Sequence, residues 1–361
     1  MSVLLSPIKL AGLTLRNRIG LSPMCQYACK ADGLATDWHL VHLGARAAGG
    51  AGLVVAEATA VSPGARISPG DLGLWSRAHA DALVPVTRFI RAQGAAAGIQ
   101  LAHAGRKGST QIPWVGRDAV SVADGGWQIL APSAIPFAAK SVTPHAMTGA
   151  DFDATIADFA GSAGLAHEAG FDYVELHMGH GYLGHQFLSP LSNQRTDGWG
   201  GDFEGRTRFV REVAKAVRVA WPAGKPLAVR LSCTDWQPGG WDIDEAARLA
   251  TLLRTDGVDL VVCSSGAIVP GSVPAAIRGV HAPFSERVRR ESGIATGLVG
   301  GITEASHAEQ LLQDGHADLV FIARAFLDDP NWALHGARNL GEQAPWPDAY
   351  ARAVRAFAPG V

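Results

Sequence analysis

Two histidines three residues apart, His177 and His180, with Tyr182 two positions further on, close the run Glu175-Leu176-His177-Met178-Gly179-His180-Gly181-Tyr182. Two imidazoles and a phenol at one place can grip an oxygen atom and supply a proton. Alternatively, the imidazoles can hold a metal ion, with Glu175 or His185 as a third ligand. Val174 and Leu176 give residues 173–177 the character of a short strand, so both histidines fall at or just past its C-terminal end. An α/β barrel keeps its chemistry at that end.

The elements that must position such a group are legible in outline. Apolar or β-branched runs recur at 19–22, 53–57, 99–102, 173–177, 227–232, 260–264, 298–300 and 319–323, each followed by a segment of helical character. Val210, Val213 and Val217 form one helical stripe, Asp242 and Glu245 fit a capping box, and Gly257 and Gly315 stand where helices should stop. Eight alternations favour a single (β/α)8 TIM barrel over an open doubly wound sheet. Residues 1–18, with turn signals at Pro7 and Ala11-Gly12, read as an N-terminal hairpin under the barrel. The stretch 105–149, with Trp114 and Trp127, is too long for idle connection and reads as a lid over the mouth. No internal repeat or linker divides the chain, so residues 1–361 read as one domain.

The polar groups at the other strand ends narrow the chemistry. Ser22 to Tyr27 follow the first strand, Glu57-Ala58-Thr59 end the second, and Gln100 and His103 the third; Arg230 and Ser232, and then Ser264-Ser265, end the fifth and sixth. Gly300-Gly301 and Ala323-Arg324 end the seventh and eighth. Glycines there let backbone N–H groups approach an anion, and a guanidinium can fork two donors onto it, so a phosphorylated ligand is expected. The alternative is a surface arginine beside ordinary turns.

Bulk properties exclude other classes. The chain has 361 residues, 47% hydrophobic and 18% charged, with a formal charge of −2 and no run of five basic residues. Nucleic acid and anionic membranes are therefore not its partners, and small molecules are. The N-terminus lacks the pattern of a signal peptide, and the most apolar stretch, 45–61, contains Glu57, so a cytoplasmic protein is expected. Cysteines 25, 29, 233 and 263 form no Cys-x-x-Cys pair and are read as reduced thiols.

Taken in order and spacing, SPMCQY, EAT, QLAHAGRK, ELHMGHGYLGHQFLSPLSNQRTDGWGG, VRLS, CSSG, VGGIT and IARAFLDDPNW resemble the old yellow enzyme family of FMN-dependent ene-reductases over nearly the whole chain. Cys25, Tyr27 and the short N-terminus resemble its thermophilic-like or xenobiotic reductase subclass. The resemblance implies a tightly bound, non-covalent FMN, with its phosphate on Gly300, Gly301, Ala323 and Arg324. Arg230 would stand by N1 and the C2 carbonyl. Gln100, Ala58 and the backbone of Ser22, Pro23, Met24 and Cys25 would meet the pyrimidine edge. His177 and His180 would bind a substrate carbonyl or nitro oxygen, Tyr182 would protonate the α-carbon, Tyr27 would help to hold the oxygen, and Cys25 would tune the flavin. NADPH or NADH would use the same pocket before an activated alkene does, in ping-pong order, which needs no dinucleotide fold; Gly161-x-x-Gly164 follows no strand. With FMN holding these residues, a metal has no role. The family often has Gly where Ala323 stands. Arg352, in the extension 340–361, resembles an arginine that enters a neighbour's active site in a homo-oligomer; an exposed helix arginine is the alternative reading. An amine dehydrogenase-like flavoenzyme and a non-catalytic flavin-binding sensor barrel are the competing functions.

Overall fold

Eight parallel strands close on themselves in the computed structural model, which describes residues 2–116, 118–274, 276–350 and 352. The chain opens with an antiparallel hairpin, β1 (Ile8–Leu10) and β2 (Leu13–Leu15), and then enters the barrel through β3 (Ile19–Leu21), β4 (Leu53–Ala60) and β5 (Ala96–Ala102). Two short strands, β6 (Leu130–Ala131) and β7 (His145–Ala146), pair with each other in the insertion after β5. The barrel resumes with β8 (Tyr173–Met178), β9 (Leu227–Ser232), β10 (Leu260–Ser264), β11 (Ala295–Val299) and β12 (Leu319–Ile322), which returns to β3. The expected (β/α)8 barrel is the fold found.

Helices cover the barrel because each has one apolar face. Phe209, Val210, Val213, Ala214 and Val217 of α5 (Phe203–Ala220) are all buried, and Asp202 caps that helix by accepting the Gly205 N–H at 2.9 Å. Asp242 caps α6 (Ile243–Thr255) in the same way. The expected capping box is only half formed there, because the Glu245 carboxylate turns away to pair with Arg206. Gly257 and Gly315 end their helices in the left-handed region, at φ 93° and 77°. The hairpin joins the barrel floor, where Leu10 and Leu15 pack with Leu53, Tyr173, Leu260 and Phe321.

Two strands start earlier than their composition suggests. β5 begins at Ala96 rather than 99, and β11 runs 295–299 rather than 298–300. Glycine and alanine are poor strand formers on the surface of a sheet, yet inside the barrel the missing side chains leave room for Tyr173 and Phe321. A Cβ on Gly98 would lie 2.9 Å from the Tyr173 ring, and one on Gly297 would lie 2.6 Å from the Phe321 ring. β4 runs three residues past its expected end because a bulge throws Glu57 out of register between Ala56 and Ala58. Replacing Gly297 with Ala is expected to lower stability by about 1–3 kcal/mol through overpacking. Urea denaturation checks this, and an unchanged midpoint and slope would show that Phe321 does not need the space.

Candidate active site

The expected site residues come together at the C-terminal ends of the barrel strands. Ser22, Pro23, Met24, Cys25 and Tyr27 follow β3; Ala58 lies in β4, Gln100 in β5, His177 in β8 and Arg230 in β9. Gly300-Gly301 follow β11, and Ala323 precedes the short helix α9 (Arg324–Asp328). The register sets Gln100 beside Glu175 and His177 beside Arg230, so these four form one polar layer above the apolar floor.

Glu175 is the hub of that layer, with both of its carboxylate oxygens engaged. Its Oε1 accepts Gln100 Nε2–H at 2.6 Å and its Oε2 accepts the Tyr173 hydroxyl at 3.0 Å. Burial pushes its carboxyl up, and the Arg230 charge opposes the shift. Arg230 donates from Nη1 to Ser22 Oγ at 3.0 Å, while its Nε is buried without a partner. His185, the other candidate third ligand, is spoken for: its Nδ1 accepts the Gly181 N–H at 2.9 Å and its Nε2 lies 2.8 Å from Asp235 Oδ1.

The turn after β8 is strained and over-determined. His180 has φ 54° and Gly181 φ 72°, and a Cβ on Gly181 would strike the Ala267 carbonyl. A left-handed non-glycine residue costs of order 1–3 kcal/mol unless its surroundings enforce it. Here the His180 N–H donates to Ser232 Oγ at 2.8 Å and its carbonyl accepts from Lys107 Nζ at 2.9 Å. The result is a close pair: His177 Nε2 stands 3.2 Å from His180 Nδ1, and the Tyr182 ring meets the His177 ring edge-on at 5.0 Å. Burial first, then Arg230, lowers both imidazoles well below their usual range, so both rings are neutral. Burial also raises the Tyr182 phenol well above its ordinary value, as it does the Cys25 thiol.

The insertion after β5 does cover the mouth. A cavity of about 440 Å³ lies between it and the barrel, lined among others by Tyr27, Ile67, Lys107, Ile129, Phe137 and Tyr182. Trp114 stands edge-on to Tyr27 at 5.7 Å, and the Arg66 guanidinium lies 4.7 Å over the Trp127 ring. Burial pushes the Lys107 ammonium down to about 8. Arg324 and Arg352 are exposed. Much of the 340–361 extension, residues 351 and 353–361, lies outside the described residues.

Sequence reasoning missed four supports. Glu57, on its bulge, accepts the Gln26 N–H at 2.7 Å and lies 3.3 Å from His39, which holds the loop of Cys25 and Tyr27. Asp71 ties its own loop together through Ser68 and Ile67. Lys107 and Ser264 touch the histidine turn directly. The strand-end positions of Glu57 and Ser264, and the place of Lys107 in the loop after the third strand, were the signals; Asp71 had none. His103, at the end of the third barrel strand, is buried and accepts the Gly105 N–H at 3.0 Å.

Comparison with known proteins agrees with this geometry. Residues 3–343 match the model of the NADH:flavin oxidoreductase / NADH oxidase family. The chain is 46% identical over 341 residues to an NADPH dehydrogenase of Geobacillus sp. (strain WCH70), covering 94% of this chain and 95% of the relative. Among solved structures it superposes on morphinone reductase with a TM-score of 0.79 and 27% identity, over 96% of this chain and 92% of that one. It also superposes on a 2-naphthoyl-CoA reductase with a TM-score of 0.84 and 25% identity, over 94% of this chain. It spans only 52% of that longer enzyme.

Burial pushes Asp71 up to about 7 against the hydrogen bonds from Ser68 and Ile67. The unfolded chain releases this proton near pH 4. The stability that the protonated carboxyl contributes is therefore complete below about pH 4 and is lost as pH rises through about 7. Asp71→Asn does not titrate, so its stability relative to the parent should climb across that window, by up to about 1.4 kcal/mol per pH unit, and level off above it. Urea denaturation of both proteins from low to neutral pH measures the difference, and a constant offset would refute the shift.

Proposed function

Because the chain belongs to the NADH:flavin oxidoreductase / NADH oxidase family, that of the old yellow enzymes, and is an FMN oxidoreductase supplied by NAD(P)H, we propose that it is an ene-reductase. Its substrates are alkenes activated by a conjugated carbonyl or nitro group. The observation that carries this reading is the pair of imidazoles, with nitrogens 3.2 Å apart, packed against the Tyr182 phenol, which lines the 440 Å³ cavity.

The residues present fit the flavin. A buried guanidinium with an unpartnered Nε, at Arg230, suits an electron-rich ring edge, and Gln100 keeps its amide oxygen for a ring N–H. Gly300, at φ 116°, and Gly301, at φ 66°, bring bare backbone to the strand end where a phosphate would lie, beside Ala323 and Arg324. The chemistry that FMN supplies when bound is transfer of a hydride from NAD(P)H to the alkene. One cavity serving both partners makes the turnover ping-pong.

This chain's residues prepare the alkene. Imidazole N–H groups of His177 and His180 hold the substrate oxygen and draw electron density toward it, which leaves the β-carbon electron-poor. Neutral rings suit this task, because they donate without surrendering a full charge to the substrate. Tyr182 keeps its proton until electron density builds at the α-carbon, and then delivers it. Tyr27, braced by Trp114, lines the same cavity as Tyr182, and the Cys25 thiol, beside the Tyr27 hydroxyl and the Ala58 backbone, would lie against the flavin.

The purified protein is expected to be yellow, and a cyclic enone should reoxidise it after reduction by NADPH. Stopped-flow absorbance tests this, and reduced protein that enones fail to reoxidise would sink the reading. Tyr182→Phe isolates the proton donor: enone reduction should slow about 10²–10⁴-fold, while flavin reduction by NADPH stays within a few-fold. Equal slowing of the two half-reactions would remove Tyr182 from its role.

A further inference from the structure

Two serine–histidine pairs sit at the barrel mouth and differ in one respect. His281 Nδ1 lies 2.6 Å from the Val299 carbonyl, so that nitrogen carries the proton, and Nε2 accepts the Ser265 hydroxyl at 2.8 Å. Ser265 Oγ in turn accepts from Trp236 Nε1 at 2.9 Å. A carbonyl cannot donate, so the tautomer of His281 is fixed.

His180 has no carbonyl partner. Its Nδ1 faces His177 Nε2 at 3.2 Å, and its Nε2 faces Ser264 Oγ at 2.6 Å. His177 Nδ1 accepts the Gly179 N–H at 3.3 Å, which places the His177 proton on Nε2. Facing that donor, His180 Nδ1 is bare, and the single proton of its neutral ring stands on Nε2, donated to Ser264. A substrate oxygen held between the two rings demands the opposite arrangement. Both inward nitrogens must then donate, so the His180 proton has to be on Nδ1. Its Nε2 is then a bare acceptor in a buried place, and an acceptor left without a donor there costs about 1–3 kcal/mol.

A hydroxyl serves both states from one atom, since it accepts in one and donates in the other. We propose that Ser264 is a positioning residue that sets the tautomer of His180, accepting from Nε2 in the empty site and donating to it when a substrate oxygen is bound. One proton leaves Nε2 and one arrives at Nδ1 by exchange with water, so charge and redox state are unchanged. The inference rests on the reading of His177 and His180 as a clamp for oxygen. It also explains why β10 ends in two serines with different duties: Ser265 props a histidine in one state, and Ser264 lets another have two.

The test is nitrogen NMR of holoenzyme carrying ¹⁵N-histidine, with His180 assigned by His180→Asn, read before and after 2-cyclohexen-1-one is added to the oxidised protein, where no turnover occurs. The expected result is a His180 proton on Nε2 without enone and on Nδ1 with it. Ser264→Ala, which leaves the bare Nε2 of the bound state without a donor, should weaken enone binding about 10-fold, or about 1.4 kcal/mol; Ser264→Thr, which keeps the hydroxyl, should restore the affinity. A parental His180 that holds its Nε2 proton while the His177 signal responds to enone would overturn the Ser264 proposal alone. An alanine variant that binds enone as tightly as the parent does would overturn it too. Bound enone that moves neither histidine signal would overturn the clamp, and this proposal with it.

Discussion

A guanidinium buried at the centre of the barrel mouth is the constraint on which the site depends. Arg230 has almost no access to water, and a charge so placed is tolerated only where neighbouring groups answer it. Glu175 and Tyr173 of β8 and Ser22 after β3 do so, and Gln100 of β5 holds Glu175 in place, so the support comes from three strands or strand ends. None of these residues is near Arg230 in sequence, so the polar layer exists only once the sheet has closed. The same charge acts outward as well, since together with burial it keeps His177 and His180 neutral.

Around that layer, the reactive groups sit on backbone that would not hold its shape alone. His180 is left-handed, Glu57 is bulged out of β4, and Tyr27 is also left-handed at φ 51°. Each is held by bonds from another element: His180 by Ser232 and Lys107, the Tyr27 loop by Glu57, and the turn at Gly181 by the His185–Asp235 pair. Strain placed at a functional site in this way fixes side-chain direction, because relaxation would break several hydrogen bonds at once.

Part of the barrel was readable from local pattern. The valine stripe of α5, the glycine stops at 257 and 315 and six of the eight strands carry their own signals in a short window. The starts of β5 and β11 do not, since Ala96-Ala97-Gly98 and Gly297 look unlike strand until one sees that Tyr173 and Phe321 fill the space they leave. The half-formed cap at Asp242 has the same origin, a tertiary partner, Arg206, that draws Glu245 away.

The candidate site divides along the same line. Residue type and position at strand ends were enough to single out His177, His180, Tyr182, Arg230 and the Gly300-Gly301 turn, because in a parallel barrel every strand end points to one face. Which nitrogen of a ring faces which partner, and hence which proton a substrate would meet, follows from contacts between residues as far apart in the chain as His180 and Ser264. The same holds for the pairing of Glu175 and the duty of Glu57. The amino-acid sequence determined the kinds of group brought to the mouth; only the closed barrel decided their partners, their protonation and their geometry, since these arise from burial and from contacts across strands that no local pattern encodes.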